Sequence, residues 1–225
     1  MNELIQTEKY NHIWNVRKNK MDLQIINEVY TDSVYDFNKV DFKYPVKYIL
    51  DIGGHIGSFS IKCAQLFPNY IIKCYEPIEE NFELCKKNTE LFNNITCYNK
   101  AVAGDLVPVE LENFYHGENR INTGGSNYKY GEGKSCVDFI HIKKIFDEIP
   151  HVDILKIDCE GGEEAIIPHI DFSKIRGCIM IEFHIKLYGE EKFKELANII
   201  IKNGMKEIYK FNPENWICPK MIYIK

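Results

Sequence analysis

Leu50 to Ser60 reads LDIGGHIGSFS. The run VKYILDI, Val46 to Ile52, leads into it and has the composition of a short buried strand. IGSFSIKCAQLF follows, with Ile56, Phe59, Cys63, Ala64 and Phe67 on one helical face. Three glycines and an acid therefore stand where a strand hands over to a helix. Gly53, Gly54 and Gly57 allow a tight turn and a close approach of backbone to a ligand. Asp51, at the strand end, offers a carboxylate to loop amides or to a ligand ammonium. A plain strand–helix turn would also use glycine, so the rest of the chain has to decide.

The next strand, YIIKCYE, ends on Glu76. In nucleotide-binding folds an acid at that position accepts from the ribose hydroxyls. The dinucleotide fingerprint G-x-G-x-x-G fails here, because Ile52 fills its first position and an acid precedes the loop. Asp51 would also repel a pyrophosphate. A sulfonium cation with an amino-acid tail fits better, which points to S-adenosylmethionine.

Beyond Glu76 the pattern repeats. PIEENFELCKKNTELF reads as a helix opened by proline and acids, and NITCYN as a third strand. FIHIKKIFDEI reads as a short strand or loop entering a helix. VDILKID is a fourth strand, GCIMIEFH a fifth, and EGGEEAIIPHI a short helix between them. Phe193, Leu196, Ala197 and Ile200 form an apolar helical stripe that Gly204 ends. MKEIYKF and KMIYIK close the chain around the turn-like NPENW. Strands alternating with helices predict an α/β, Rossmann-like sheet, mostly parallel with an antiparallel C-terminal edge. Residues 1–45 read as a helical or irregular lid, and 46–225 as one ligand-binding domain.

Composition is that of a globular protein, with 45 % apolar and 27 % charged residues. The net charge of −5 speaks against a general nucleic-acid binder. Eight cysteines stand singly, without CxxC, and read as reduced, buried small apolar residues. No leader or long apolar run is visible, so a cytoplasmic protein without membrane attachment is expected.

LDIGGHIGSFS, YEPIEEN with NNITCYNKAVAGD, and above all VDILKIDCEGGEE followed by IMIEFH resemble the FkbM-like methyltransferases, a class I S-adenosylmethionine-dependent family. The resemblance spans roughly Lys47 to His184. Gly54-His55 stands where the family more often has Ala-Asn. The resemblance implies a seven-stranded sheet and O-methylation of sugar or polyketide hydroxyls. It also implies that Asp51, Gly53 and Gly57, with Gly54 and His55 in the same loop, hold the methionine part. By the same resemblance Glu76 takes the ribose, Asn81 steadies that loop, and Lys100 and Ala101 lie near the adenine.

Methyl transfer to a hydroxyl needs in-line alignment and a base for the leaving proton. Lys156, Asp158 and Glu160 alternate at the end of the fourth strand, and Glu182 and His184 at the end of the fifth. Neutral histidine is the best base near pH 7, so His184 is the expected base, oriented by Glu182 or Asp158. The same carboxylates could hold a divalent ion, but no spacing requires one and no metal is assigned. His116, His141, His151 and His169 read as surface or structural residues.

RINTGGSNYKYGEGK, within a polar and aromatic stretch from Pro108 to Val137, is the expected acceptor loop. Asn122, Ser126, Tyr128 and Tyr130 would meet a polar, hydroxylated small molecule or glycan. Other readings are a methyltransferase acting on RNA or protein, a nicotinamide oxidoreductase, and a cofactor-binding module without catalysis.

Overall fold

LIQTEK and HIWNVR, free of glycine and proline, pair as an antiparallel hairpin, β1 (Leu4–Lys9) and β2 (His12–Arg17). The turn residues Tyr10 and Asn11 both have positive φ, 54° and 56°, as a two-residue turn that follows strand twist requires. The computed structural model describes residues 3–18, 21–31, 35–116, 121–211 and 218–225. Side chains 109, 111–128, 130 and 211 lie outside that description. Helix α1 (Asp22–Thr31) follows, so the first segment is a hairpin and a helix rather than the helical or irregular lid expected.

The core then alternates: β3 (Tyr48–Ile52), α2 (Ser58–Leu66), β4 (Ile71–Tyr75), α3 (Glu79–Thr89) and β5 (Ile95–Tyr98). After short β6 (Ala101–Ala103) come β7 (Val107–His116) and β8 (Ile121–Gly131), which pair as an antiparallel hairpin. The expected acceptor loop is thus largely strand, although its glycines and asparagines suggested otherwise. Next are β9 (Phe139–His141), α4 (Ile142–Glu148), β10 (Val152–Ile157), α5 (Glu163–Ile166) and β11 (Ile175–Glu182). Helix α6 (Ile185–Lys202), β12 (Lys206–Phe211) and β13 (Lys220–Ile224) finish the chain.

The seven-stranded sheet runs β12-β13-β11-β10-β3-β4-β5. Only β13 runs against its neighbours. It sits one place in from the edge, between β11 and β12. The order reverses beside β3 and β10, so the crevice beyond their carboxyl ends is the natural ligand site. All six residues of β10 are buried, as a central parallel strand covered on both faces demands. Leu50, Ile52, Leu155 and Ile157 pack into one core, while Ile49 and Ile154 pack into the other. Each such side chain contributes about 1.5–3 kcal/mol by leaving water.

A buried ion pair ties the N-terminal hairpin to α1. Arg17 Nη2 lies 2.7 Å from Asp22 Oδ1 and its Nε 3.0 Å from Oδ2, and both side chains are essentially unexposed. Burial opposes ionisation of Asp22, but the Arg17 hydrogen bonds outweigh it and hold the carboxyl below its ordinary range. Arg17 Nη1 donates to Asn81 Oδ1 at 2.8 Å, which links β2 to α3. Arg17→Ala would leave Asp22 buried without its partner. Chemical denaturation should then show a loss of about 3–5 kcal/mol; a loss below about 1 kcal/mol would mean that solvent or another cation replaces Arg17.

Candidate active site

The turn after β3 is held by backbone. Gly53 and Gly54 both donate to the Tyr75 carbonyl, at 2.9 and 3.0 Å, and Gly57 donates to Gly54 O at 2.8 Å. Gly53 has φ +80°, and a Cβ there would lie 1.7 Å from the Asp158 carbonyl oxygen. Only glycine lets the first turn pass so close to the end of β10. Gly53 and His55 line the wall of a cavity together with Glu76, Asn81, Lys100 and Ala101. Asp51, Gly54 and Gly57 lie behind that wall. Asp51 is fully buried, accepts from Ser60 Oγ at 2.7 Å and pairs with Lys156 Nζ at 3.3 Å.

Glu76 is nearly unexposed, and its two oxygens accept from the amides of His55 (2.8 Å) and Ile78 (2.9 Å). Asn81 Nδ2 approaches it at 3.5 Å. Burial, only partly offset by these hydrogen bonds, pushes the Glu76 carboxyl up to about 7. His55 is pushed down to about 4, chiefly by burial, so its ring is neutral at pH 7. Arg17 Nη2 lies 3.3 Å from His55 Nε2, and a guanidinium can only donate. Nε2 therefore accepts, and the hydrogen is assigned to Nδ1, which has no partner. A cavity-wall residue thus carries an unmet donor.

On the far side the rim is acidic. Asp158, Glu160 and Glu182 face the cavity. His55 (φ 50°) and Glu160 (φ 51°) both line the cavity in the left-handed region, a conformation that non-glycine residues adopt at a cost and that gathers at functional sites. Lys156 is buried between Asp51 and Asp158, the latter at 3.6 Å, and donates to the carbonyls of Ile52 and Gly53. Burial opposes the Lys156 charge, but Asp51 and then Asp158 more than restore it. Burial likewise opposes the Asp158 charge, and Lys156 then His184 overcome it, so this carboxyl titrates low. Glu182 is pushed up to about 8, first by burial and then by Asp158, with Lys220 at 3.3 Å opposing.

His184 does not have the setting of a base. Its Nδ1 lies 3.0 Å from Glu163 Oε1 and its Nε2 3.2 Å from Glu160 Oε2 and 3.9 Å from Asp158 Oδ1. Burial would lower its pKa, but Glu163 and then Glu160 raise it well above the ordinary value. The ring is an imidazolium at neutral pH, with no lone pair to accept a proton. The expectation that His184 is the base is corrected accordingly. Lys156 is corrected for a like reason, being permanently charged and buried away from the cavity. Glu163, fully buried and the partner that holds His184, was not singled out from sequence. Nor was Asn99, whose Nδ2 donates to the Glu76 and Pro77 carbonyls at 3.0 and 3.1 Å. Ile25, Glu28 and Tyr35 also face the cavity, so the N-terminal segment helps to wall it. The side chains of Asn122, Ser126, Tyr128 and Tyr130 lie outside the described residues; their backbone belongs to β8.

A glycine turn beside a buried acid at the switch point of a mostly parallel sheet is the nucleotide-binding arrangement of a Rossmann-like fold. Residues 51–210 match the family model for the Methyltransferase FkbM domain, and the chain belongs to that family. It is 24 % identical over 180 residues to Methyltransferase 1 of Beauveria bassiana (strain ARSEF 2860), covering 68 % of this chain and 69 % of that protein. It is 23 % identical over 206 residues to Methyltransferase sdnD of Sordaria araneosa, covering 75 % and 76 %. Among solved structures, Methyltransferase FkbM from Methylobacillus flagellatus KT aligns with TM-score 0.53 and 14 % identity over 89 % of this chain and 48 % of that one. M. jannaschii TYW2, solved in complex with AdoMet, aligns with TM-score 0.52 and 11 % identity over 100 % and 86 %. These structural likenesses are likenesses of fold.

Hydroxyl donors from a ribose would favour the ionised form of Glu76. Its raised pKa means that a proton must leave before such a ligand binds best. Affinity for S-adenosylhomocysteine should therefore rise with pH through about 7, and Glu76→Gln should flatten that rise and weaken binding. Calorimetry across pH 6 to 8 reads both; a flat wild-type profile would remove Glu76 from the site.

Proposed function

We propose that this protein is an S-adenosylmethionine-dependent O-methyltransferase acting on a hydroxyl of a sugar, glycan or other polar small molecule. The observation that carries this reading is the meeting of two walls in one cavity. Gly53, His55 and Glu76 stand on one side and the carboxylates Asp158, Glu160 and Glu182 on the other. The residues fit the cofactor: Glu76 offers a carboxylate to ribose hydroxyls, and the unpartnered His55 Nδ1 offers a donor to the amino-acid carboxylate. When bound, S-adenosylmethionine supplies an electrophilic methyl group for in-line displacement.

The chain supplies position and proton removal. Glu182, pushed up to about 8 chiefly by burial, titrates close enough to neutral pH to serve as the base. Asp158 stays ionised and accepts a hydrogen bond from the acceptor. Protonated His184 balances the negative charge that Asp158, Glu160 and Glu163 would otherwise concentrate there. An acidic rim suits a neutral, hydroxyl-rich acceptor and repels a phosphate chain, which favours a small molecule or glycan over RNA. The β7–β8 hairpin begins at Val107, five residues past the wall residue Val102, and we assign acceptor recognition to its Asn122, Ser126, Tyr128 and Tyr130. Eight unpaired cysteines suit a reducing compartment, hence the cytoplasm. Among the described residues no helix is long and apolar enough to cross a membrane.

Labelled S-adenosylmethionine incubated with fractionated extract should mark a small polar compound, with the label in a methyl ether; label found only in nucleic acid, or on nitrogen, would overturn the assignment. With that acceptor in hand, turnover should rise with pH through about 8, because the Glu182 base works only when ionised. Glu182→Gln should lower turnover by about 10²–10⁴-fold while S-adenosylhomocysteine affinity holds. Unchanged turnover in that variant would move the base role to Asp158.

A further inference from the structure

Three cysteines far apart in sequence meet directly beneath the glycine turn. Cys74 on β4 and Cys97 on β5 face each other in register, and Cys85 reaches them from α3. Cys85 Sγ lies 3.3 Å from Cys97 Sγ and 3.6 Å from Cys74 Sγ. Cys74 and Cys85 are fully buried, whereas Cys97 is partly exposed. The sulfurs form the floor of the turn: a Cβ on Gly54 would lie 2.1 Å from Cys74 Sγ, and one on Gly57 3.1 Å from Cys85 Sγ.

We propose that Cys97 and Cys85 form a reversible disulfide on exposure to hydrogen peroxide, and that this bond weakens cofactor binding by displacing α3 from the glycine turn. The proposal rests on the cavity being the cofactor site. Cys97 is the reachable thiol. Hydrogen bonds from Cys74 and then Cys85 pull its pKa below the ordinary thiol range, which favours the thiolate, while Cys85 remains a thiol. The Cys97 thiolate attacks one peroxide oxygen and the O–O bond breaks. Cys97 becomes a sulfenic acid, and the departing hydroxide leaves as water with the proton that Cys97 had released. Cys85 sulfur then attacks the Cys97 sulfur, and the sulfenic hydroxyl leaves as a second water with the Cys85 proton. Two thiols and one peroxide give one disulfide and two waters.

A disulfide brings two sulfurs to about 2.05 Å. The 3.3 Å contact must therefore close by more than an ångström inside a close-packed interior. Strand β5 is fixed by its pairing with β4, so the shift falls on α3. That helix supports Gly57 through Cys85 and carries Asn81, the neighbour of Glu76. Both halves of the cofactor wall thus rest on the element that moves.

The test treats reduced protein with a slight excess of hydrogen peroxide, alkylates free thiols and maps linked peptides by mass spectrometry. The expected result is a Cys85–Cys97 linkage, loss of S-adenosylhomocysteine affinity of about tenfold, and recovery of both after dithiothreitol. Cys74→Ser should keep the linkage and Cys97→Ser should abolish it. Should Cys97→Ser fail to fold, oxidised and reduced wild type decide alone. Amide exchange at residues 53–57, followed without cofactor, should quicken on oxidation; this readout separates a failed switch from a failed cofactor assignment, which would show as reduced protein that never binds S-adenosylhomocysteine. Absence of the Cys85–Cys97 linkage, or a linkage that leaves amide exchange unchanged, overturns the proposal.

Discussion

One buried ammonium joins the two halves of this site. Lys156 comes from β10, yet its Nζ lies against Asp51 of β3, against Asp158 at the end of its own strand, and against the carbonyls of Ile52 and Gly53. Strands β3 and β10 are the central pair of the sheet, and the crevice opens where they end. Removing Lys156 would leave Asp51 wholly buried with only Ser60 and the Cys74 thiol beside it. A buried charge stripped of its partner is costly, about 3–5 kcal/mol. The glycine turn and the acidic rim therefore depend on the same cation.

That dependence explains why the rim can hold so many acids. Asp158, Glu160, Glu163 and Glu182 cluster around the adjoining ends of β10 and β11, where like charges would force protons on. Lys156, His184 and Lys220 divide them. Asp158 faces two cations and stays ionised, whereas Glu182, next to Asp158 and largely withdrawn from solvent, keeps its proton to about pH 8. Two carboxyls on one rim are thus pushed apart in pKa, the pattern that separates a fixed acceptor from a working base. His184 takes part as a charge. The arrangement that makes it a good counter-ion is what prevents it from accepting a proton.

The sheet was legible because its signals are local. VDILKID and KYILDI are short, mainly apolar runs of strand length, Pro77 and its following acids open α3, and the glycines after Ile52 have few other uses. Glu76 could be placed because strand ends converge on one rim. Charge states could not be read, because they come from distant partners: Glu163 fixes His184, and Arg17 reaches Asn81 and His55 from the N-terminal hairpin. That hairpin was missed although Tyr10-Asn11 can make its turn, since a side chain pattern alone did not show which face β2 buries. The hairpin of β7 and β8 was missed because its glycines and asparagines imitate a loop. The meeting of Cys74, Cys85 and Cys97 is set by sheet register and helix placement, which single cysteines in a sequence do not reveal.

The coupling through Lys156 is open to direct measurement by a double-mutant cycle. Asp51→Asn and Lys156→Met, singly and together, would be compared with wild type by urea unfolding. If the buried pair ties the glycine turn to the rim, each single change should be severe and the double change milder than their sum, with a coupling of about 2–3 kcal/mol. Effects that add to within about 0.5 kcal/mol would contradict it, and would mean that β3 and β10 hold their ends without this cation.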